Sequence, residues 1–368
     1  MQEAPAAPSR TWAEVDLGAI RHNVRTLRRR AAGTPLMAVV KADAYGHGAV
    51  PIAKAALEAG ANHLAVVTAE EGAELRRAGI TAPILVFTDL LPHGLRLAGA
   101  YRLAVTAHSL ESAKRVLAFR DLPVHLKVNT GMNRWGVEPE EVGEALKVLG
   151  DRLAGVYTHL ASADCDREAT RRQLKVFDAV LASHPFGGAL VHAANSAATL
   201  WYPEARYGCV RPGVALYGLH PKGDEGDARK EGLRPAMVLK SYVAAVRRLE
   251  PGDGVSYGLT FRAREPMFAV TVPVGYAEGY RRALSGRAFA LIRNRRRPLL
   301  GRVTMDASVF AADAEVRVGD EVVLLGEQGG ERVTAEELGA WAGTINYEVT
   351  TGMNPRRVER SYLDVRGP

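Results

Sequence analysis

The sequence predicts an α/β protein in two parts, an N-terminal (β/α)8 barrel followed by a mainly antiparallel β domain. Short apolar runs alternate with helix-length amphipathic stretches from about residue 10 to residue 220, the pattern of a parallel sheet wrapped by helices. Around KGDEGDARKEGLRP (residues 222–235) the composition turns charged and glycine-rich, as at a boundary. Beyond it lie short β-branched runs separated by Gly, Pro and Arg, which suit antiparallel strands. At 368 residues the chain exceeds a typical single core and has room for a barrel of roughly 250 residues beside a smaller domain.

In order, TWAEVDL (residues 11–17) alternates like a strand, and IRHNVRTLRRRA from Ile20 reads as a basic amphipathic helix. LMAVVK leads to a helix from about Val50 to Glu58, and HLAVVT leads to the helical EEGAELRRAG. PILVFT follows, then RLAVT with a helix from Leu110, then HLKVN, GVYTHL and ALVHAAN. VRPGVALYG closes the series at about eight strands, the number that a closed barrel requires. In the second part MVLKSYVAAVRRL, FAVTVPVGY, AFALI, RVTMDASVF and DEVVLLG read as strands, and only residues 335–342 read as helix. The expected domains are residues 10–232 for the barrel and 233–368 for the β domain, with residues 10–17 placed to pair with the second.

Composition narrows the function classes. With 47% hydrophobic and 24% charged residues the chain fits an ordinary soluble globular protein. Cys165 and Cys209 cannot build a disulfide framework and lack a metal-ligand spacing, which suits a reducing cytoplasm and no metal. MQEAPAAPSR has no apolar core of a signal peptide, and no run of eighteen apolar residues occurs, so neither export nor a membrane span is expected. The net charge of +7 and the run RNRRRP, with Arg293, Arg295, Arg296 and Arg297, raise nucleic acid as a partner. That run lies between strand-like segments without interleaved aromatics, so a solvated hairpin turn is the expectation and nucleic acid is not.

The chemistry centres on AVVKADAYGHG (residues 38–48). The apolar run reads as a strand buried on both faces, and Lys41 ends it at what would be the rim of a parallel barrel. Tyr45 follows four residues later, then the flexible Gly46-His47-Gly48. One amine on a rigid base, with a phenol and backbone N–H groups close by, suits Schiff-base chemistry on an anionic aldehyde cofactor. From the stretch alone, an ordinary strand end with a lysine reaching to solvent is the simpler reading. HAANSAAT puts Ser196 at another strand end, and VRPGVALYG puts Arg211, Gly213 and Val214 at the next. A serine hydroxyl beside unencumbered Gly-Val N–H groups can bind a phosphate dianion, although R-P-G can also be a plain turn.

Taken together, these segments resemble the alanine racemases, fold-type III enzymes dependent on pyridoxal 5′-phosphate. The likeness runs through AVVKADAYGHG, HLKVNTGMNRWG, THLASAD, HAANSAAT, VRPGVALYG, VSYGLTF, PVGYAEGY, GRVTMD and INYEVTTG in the family's order. It implies that Lys41 carries the cofactor covalently and that Tyr45, Ser196, Gly213, Val214 and Tyr347 hold its phosphate. Arg211 is implied to face the pyridine nitrogen, where a guanidinium that keeps its proton leaves the ring largely unprotonated. Lys41 and Tyr257 are the implied pair of bases, with His159 and Arg211 stabilising the phenolate by charge or hydrogen bonding. Arg134 would pair with the substrate carboxylate, positioned by Lys127, which many relatives carry as a carbamate. Tyr257, Tyr276 and Met305 are implied to come from the other subunit of a head-to-tail homodimer, narrowing the pocket around a methyl side chain. The resemblance further implies interconversion of L- and D-alanine, with D-alanine destined for peptidoglycan.

Some positions depart from the family pattern. Asn129 replaces the usual aspartate, Trp135 a common leucine and Thr304 a frequent cysteine, while RVER (residues 357–360) replaces RVPR. A broader-specificity racemase or a basic-amino-acid decarboxylase would share Lys41, but such decarboxylases place an acidic residue where Arg211 stands. A non-catalytic pyridoxal-phosphate carrier resembles only the barrel half and has no use for the chain beyond residue 235.

Overall fold

The structure, a computed structural model, describes residues 10–119 and 121–364. Except for Arg10, the lead-in MQEAPAAPSR, read from sequence as unordered and without a signal, lies outside them. Contacts divide the chain into two compact units. One comprises Ala19–Lys222 and Ala228–Arg234; the other comprises the residues up to Gly18, Gly223–Asp227 and those from Pro235 onward. The first strand, β1 (Trp12–Asp16), therefore belongs with the C-terminal strands.

The larger unit is a ring of short parallel strands: β2 (Met37–Val39), β3 (His63–Val66), β4 (Ile84–Val86), β5 (Val105–Ala107), β6 (Val124–Lys127), β7 (Leu153–Tyr157) and β8 (Leu190–His192). β2 to β4 pair in sequence and so do β5 to β8, with a bridge between Leu85 and Ala104 joining the two arcs. Bridges from Cys209 to His192 and from Val210 to Leu36 close the ring. The eighth strand is thus only these two bridged residues, shorter than VRPGVALYG suggested. Pro212 lacks the N–H a longer ladder needs, and the chain bends into a 3-10 turn at Val214–Tyr217.

Strands β2, β4, β5 and β6 are buried at every residue, which explains why they read as continuous apolar runs. The helices between them bury one stripe. Leu17–Arg30, for instance, buries Ile20, Asn23, Val24 and Leu27 and leaves Arg29 and Arg30 outward. Helix starts are set by local chemistry. Thr68 and Glu71 form a capping box before Ala69–Arg77, and Asn195 caps Ser196–Trp201 through Ala198 N at 3.0 Å. Fully buried Phe177, Ile52 and Leu64 contribute roughly 1.5–3 kcal/mol each.

The second unit is a sheet built from β1 with β9 (Met237–Tyr242), β10 (Ala245–Leu249), β13 (Met267–Val272), β14 (Phe289–Ile292), β15 (Arg295–Leu300), β16 (Ser308–Ala312), β17 (Glu321–Gln328), β18 (Glu331–Val333) and β19 (Glu359–Leu363), plus the small hairpin β11 (Gly254–Val255) and β12 (Phe261–Arg262). Its pairings are antiparallel except for β1 with β19. Lys240 on β9 meets Glu14 on β1 at 3.0 Å and Glu321 on β17 at 3.1 Å, one cation tying three neighbouring strands.

Two expectations need correction here. The expected hairpin is present and exposed at residues 293–295, but its turn is shorter than the arginine run: only Arg293 and Asn294 form it, both at positive φ as a two-residue hairpin requires, and the rest is β15. Arg295 and Arg297 both pair with Asp313, while Arg296 pairs with Glu337 at 2.7 Å and lies over Trp341, so the charges are largely compensated. Beside the expected helix Ala335–Ala342 there is a second, Asn346–Thr351. NYEVTT is poor in helix formers, but buried Asn346 donates to Glu336 at 2.8 Å, and this tertiary anchor overrides propensity.

Candidate active site

The strand ahead of Lys41 stops at Val39, two residues earlier than expected, and Lys41 begins a tight turn. Ala42, Asp43, Ala44 and Tyr45 all sit at φ between 51° and 53°, a left-handed helical turn built without glycine. Each such residue costs about 1–2 kcal/mol, so the turn exists only because its surroundings hold it. Glu71 does much of that. Its Oε1 accepts from Ala42 N at 2.6 Å, and its Oε2 accepts from Val67 N at 2.7 Å and Thr68 N at 3.2 Å. Asp43 Oδ1 accepts from Ala49 N at 2.7 Å, fastening the turn to the next helix.

This base leaves the Lys41 amine 5.9 Å from the centroid of the Tyr45 ring. Burial and the nearby Arg134 cation lower its pKa, against a smaller opposing pull from Glu71. Tyr45 is buried against Tyr217, ring centres 5.0 Å apart, and burial drives its phenol well above the usual range, so it is a neutral hydrogen-bonding group.

Further round the same barrel, Ser196 Oγ accepts from Gly213 N at 2.9 Å and Ala215 N at 3.2 Å. A methyl at Gly213 would lie 2.5 Å from Tyr45 Oη, so the bare glycine lets the phenol close over these N–H groups. Tyr45, Ser196, Gly213 and Val214 are all buried here. Next to them Arg211 donates to His192 Nδ1 at 2.7 Å, Thr158 O at 2.9 Å and Ala193 O at 3.1 Å. Burial lowers Arg211 to about 10, still charged at neutral pH, and its guanidinium lies 5.0 Å from the centre of the Tyr157 ring.

Lys127, at the end of β6, is buried rather than solvated, 5.7 Å from the Trp135 ring centre and 5.9 Å from that of Tyr157. Burial first, then Arg134 and Arg211, lower its pKa to about 8. Arg134 stands exposed on a loop organised by Asn129, whose Oδ1 accepts from Gly131 N at 3.2 Å and Asn133 N at 3.0 Å. Its amide also donates to Glu138 at 2.8 Å, a bond that the usual aspartate could not make. His159 is held neutral by burial and by the Arg211, Lys127, Arg134 and Lys41 charges.

The remaining candidates lie in the β unit. Tyr257 is 74% exposed, on a strained turn with Ser256 at φ 61° and Leu259 at φ 45°. Tyr276 and Met305 are also exposed and lie on two loops zipped together, Tyr276 N donating to Thr304 O at 3.1 Å and Ala277 N to Met305 O at 3.0 Å. Thr304 bonds its own loop through Ala307, Oγ1 donating to the carbonyl at 2.8 Å. Tyr347 is half-buried on the helix Asn346–Thr351.

Comparison with known proteins agrees over nearly the whole chain. Residues 15–221 match the alanine racemase N-terminal domain and residues 236–362 its C-terminal domain. The chain belongs to the alanine racemase family. The alanine racemase of Symbiobacterium thermophilum is 48% identical, covering 96% of this chain and 97% of that protein. Alanine racemase 1 of Bacillus subtilis is 40% identical over 96% of this chain and 93% of its own length. Among solved structures, the alanine racemase of Streptomyces lavendulae superposes with TM-score 0.90 at 38% identity, covering 97% of this chain and 98% of that one. That of Bacillus anthracis, with bound L-Ala-P, gives 0.89 at 37% identity over 99% and 97% of the two chains.

As a family member the chain is an isomerase with an α/β N-terminal domain and a mostly antiparallel C-terminal sheet. Beside the motif residues stand groups that sequence reading passed over and that hold their neighbours in place. Glu71 sits in the segment EEGAELRRAG read as a helix, His125 and His192 in the strands HLKVN and ALVHAAN, and Arg357 in the tail that read as a departure. Arg357 pairs with buried Glu278 at 2.7 Å and with Asp306 at 2.6 Å, clamping the loops of Tyr276 and Met305.

Proposed function

We propose that this protein interconverts L-alanine and D-alanine with pyridoxal 5′-phosphate as cofactor, acting as a homodimer in the cytoplasm and supplying D-alanine for peptidoglycan. The observation that carries the reading is the barrel rim itself, where Lys41, the Ser196–Gly213 donor set and a charged Arg211 all stand on one strand-end layer. The donor set fits a phosphorylated ring aldehyde: backbone N–H groups and a hydroxyl for the dianion, a glycine where a Cβ would fill the cradle, and an amine of lowered pKa. Tyr45, Ser196, Gly213, Val214 and Tyr347 would hold the phosphate, Lys41 the aldehyde carbon and Arg211 the ring nitrogen. When bound, the cofactor supplies an electron sink that acidifies the substrate's α-proton.

The chain's own residues do the rest. A racemase needs one base on each face of the α-carbon. Lys41, its pKa lowered by burial and by the Arg134 charge, takes or returns the proton on one face. Tyr257 of a second copy does so on the other, which accounts for a tyrosine left 74% exposed on a strained turn. His159, neutral, and Arg211 stabilise the phenolate by hydrogen bonding and charge respectively. Arg134 binds the substrate carboxylate, with Met305 and Tyr276 bounding the methyl pocket. Arg211 keeps its proton because a guanidinium near pKa 10 does not release it at neutral pH.

Lys127 is placed for carbamylation. With a pKa of about 8, roughly a tenth of it is neutral amine at pH 7. Attack of that amine on CO2 forms an N–C bond and releases a proton, converting a cation that repels Arg134 into an anion that attracts it. The function is tested by incubating the purified, cofactor-loaded protein with L-alanine and following optical rotation: decay to zero is expected, and persistent rotation would overturn the reading.

A further inference from the structure

Inside the barrel, behind Arg211, lies a line of imidazoles that the reaction does not call upon. His192 on β8 is fully buried and stacks on Tyr157 with ring centres 4.7 Å apart and planes 8° from parallel. Its Nε2 meets Nδ1 of His125 on β6 at 2.8 Å, and His63 on β3 acts electrostatically on both rings. The barrel has been shaped around His125. A methyl at Gly155 would lie 2.3 Å from His125 Nδ1, and the β6–β7 register slips by one residue between Val124 and His125, bringing Gly155 opposite the ring.

The polarity of this chain follows from donor counting. A guanidinium only donates, so His192 Nδ1, 2.7 Å from Arg211, must present a lone pair. A neutral His192 then carries its proton on Nε2 and donates it to His125, whose Nδ1 must likewise be bare and whose proton sits on Nε2. Burial and neighbouring cations disfavour a charge on either ring, which leaves the two tautomers as the only freedom. We propose that His125 is a positioning residue: by accepting from His192 it dictates the His192 tautomer, and so holds Arg211 charged and aimed at the site. Without that acceptor, His192 can carry its proton on Nδ1, directed at a guanidinium that has no lone pair to offer.

The inference rests on the racemase reading for what Arg211 does, but its test does not. In the full-length, cofactor-loaded protein with 15N-labelled histidine, two-bond 1H–15N spectra at neutral pH should show His192 and His125 neutral, with protonated Nε2 and bare Nδ1. His125→Asn, which keeps an acceptor near the Nδ1 position, should preserve the His192 tautomer and most of kcat. His125→Leu should populate Nδ1–H on His192 and lower kcat by roughly 10- to 100-fold with a smaller change in KM, the scale of losing one buried hydrogen bond to a charged group. A protonated Nδ1 or a doubly protonated His192 in the unaltered protein would overturn the proposal even if the leucine variant failed to fold. So would a folded leucine variant with an unchanged His192 tautomer. A protein inert toward alanine that shows these tautomers would support the relay while sinking the racemase reading.

Discussion

Glu71 holds the backbone of Ala42, the residue after Lys41, through a 2.6 Å hydrogen bond from Ala42 N to Oε1. Its other oxygen holds the end of β3, so one carboxylate couples a left-handed turn to the sheet. Glu71→Ala leaves three backbone N–H groups without this acceptor. We expect urea denaturation to show a loss of roughly 2–3 kcal/mol together with a fall in racemisation. A variant as stable as the parent would mean that the turn is held by other contacts.

Gly213→Ala tests the phosphate cradle. Alanine there would put a methyl 2.5 Å from Tyr45 Oη. Pyridoxal 5′-phosphate titrations followed by absorbance should show Kd raised by about tenfold or more, on the scale of one lost favourable contact set. Unchanged affinity would place the phosphate elsewhere.

The buried amine of Lys127 makes a prediction about pH. Its folded-state pKa of about 8 lies below the ordinary 10.5, so the unfolded chain binds more protons between those values and stability rises with pH through that window. In CO2-free buffer Lys127→Met should therefore be more stable than the parent at pH 7, by roughly 1–3 kcal/mol, with the gain shrinking as pH rises past 8. A difference that stays constant with pH would contradict the assignment. In bicarbonate-equilibrated buffer, native mass spectrometry should find one added CO2 on the parent and none on the variant.

Arg357 clamps the loops of Tyr276 and Met305 between Glu278 and Asp306. Arg357→Met abandons the buried Glu278 carboxylate, which among the described residues keeps its bond from Gly275 N at 2.8 Å. Steady-state kinetics should show KM for alanine raised more than kcat is lowered, with a lower Tm. An effect on kcat alone would assign Arg357 a different role.

Much of this was legible in the sequence because the signals are local. Parallel strands buried on both faces read as unbroken apolar runs, and the strand ends carrying Lys41, Ser196 and Arg211 follow from them. The eighth strand was read too long because apolar Val214, Ala215 and Leu216 suit a 3-10 turn as well as a strand. The turn at Ala42–Tyr45 was not legible at all: alanine favours the right-handed helix, and the acceptor that imposes the other hand lies 29 residues away in Glu71. The helix at Asn346 and the pairing of the arginine hairpin likewise depend on Glu336, Asp313 and Glu337, partners that no local pattern names. The neutrality of His159 is a property of burial among four cations, which only the folded chain brings together.

The central claim is that the amine of Lys41 carries the cofactor. The direct measurement is peptide mapping by mass spectrometry after borohydride reduction of the loaded protein. A phosphopyridoxyl group on the peptide containing Lys41 is the result expected; the group on another lysine, or on none, would contradict the account.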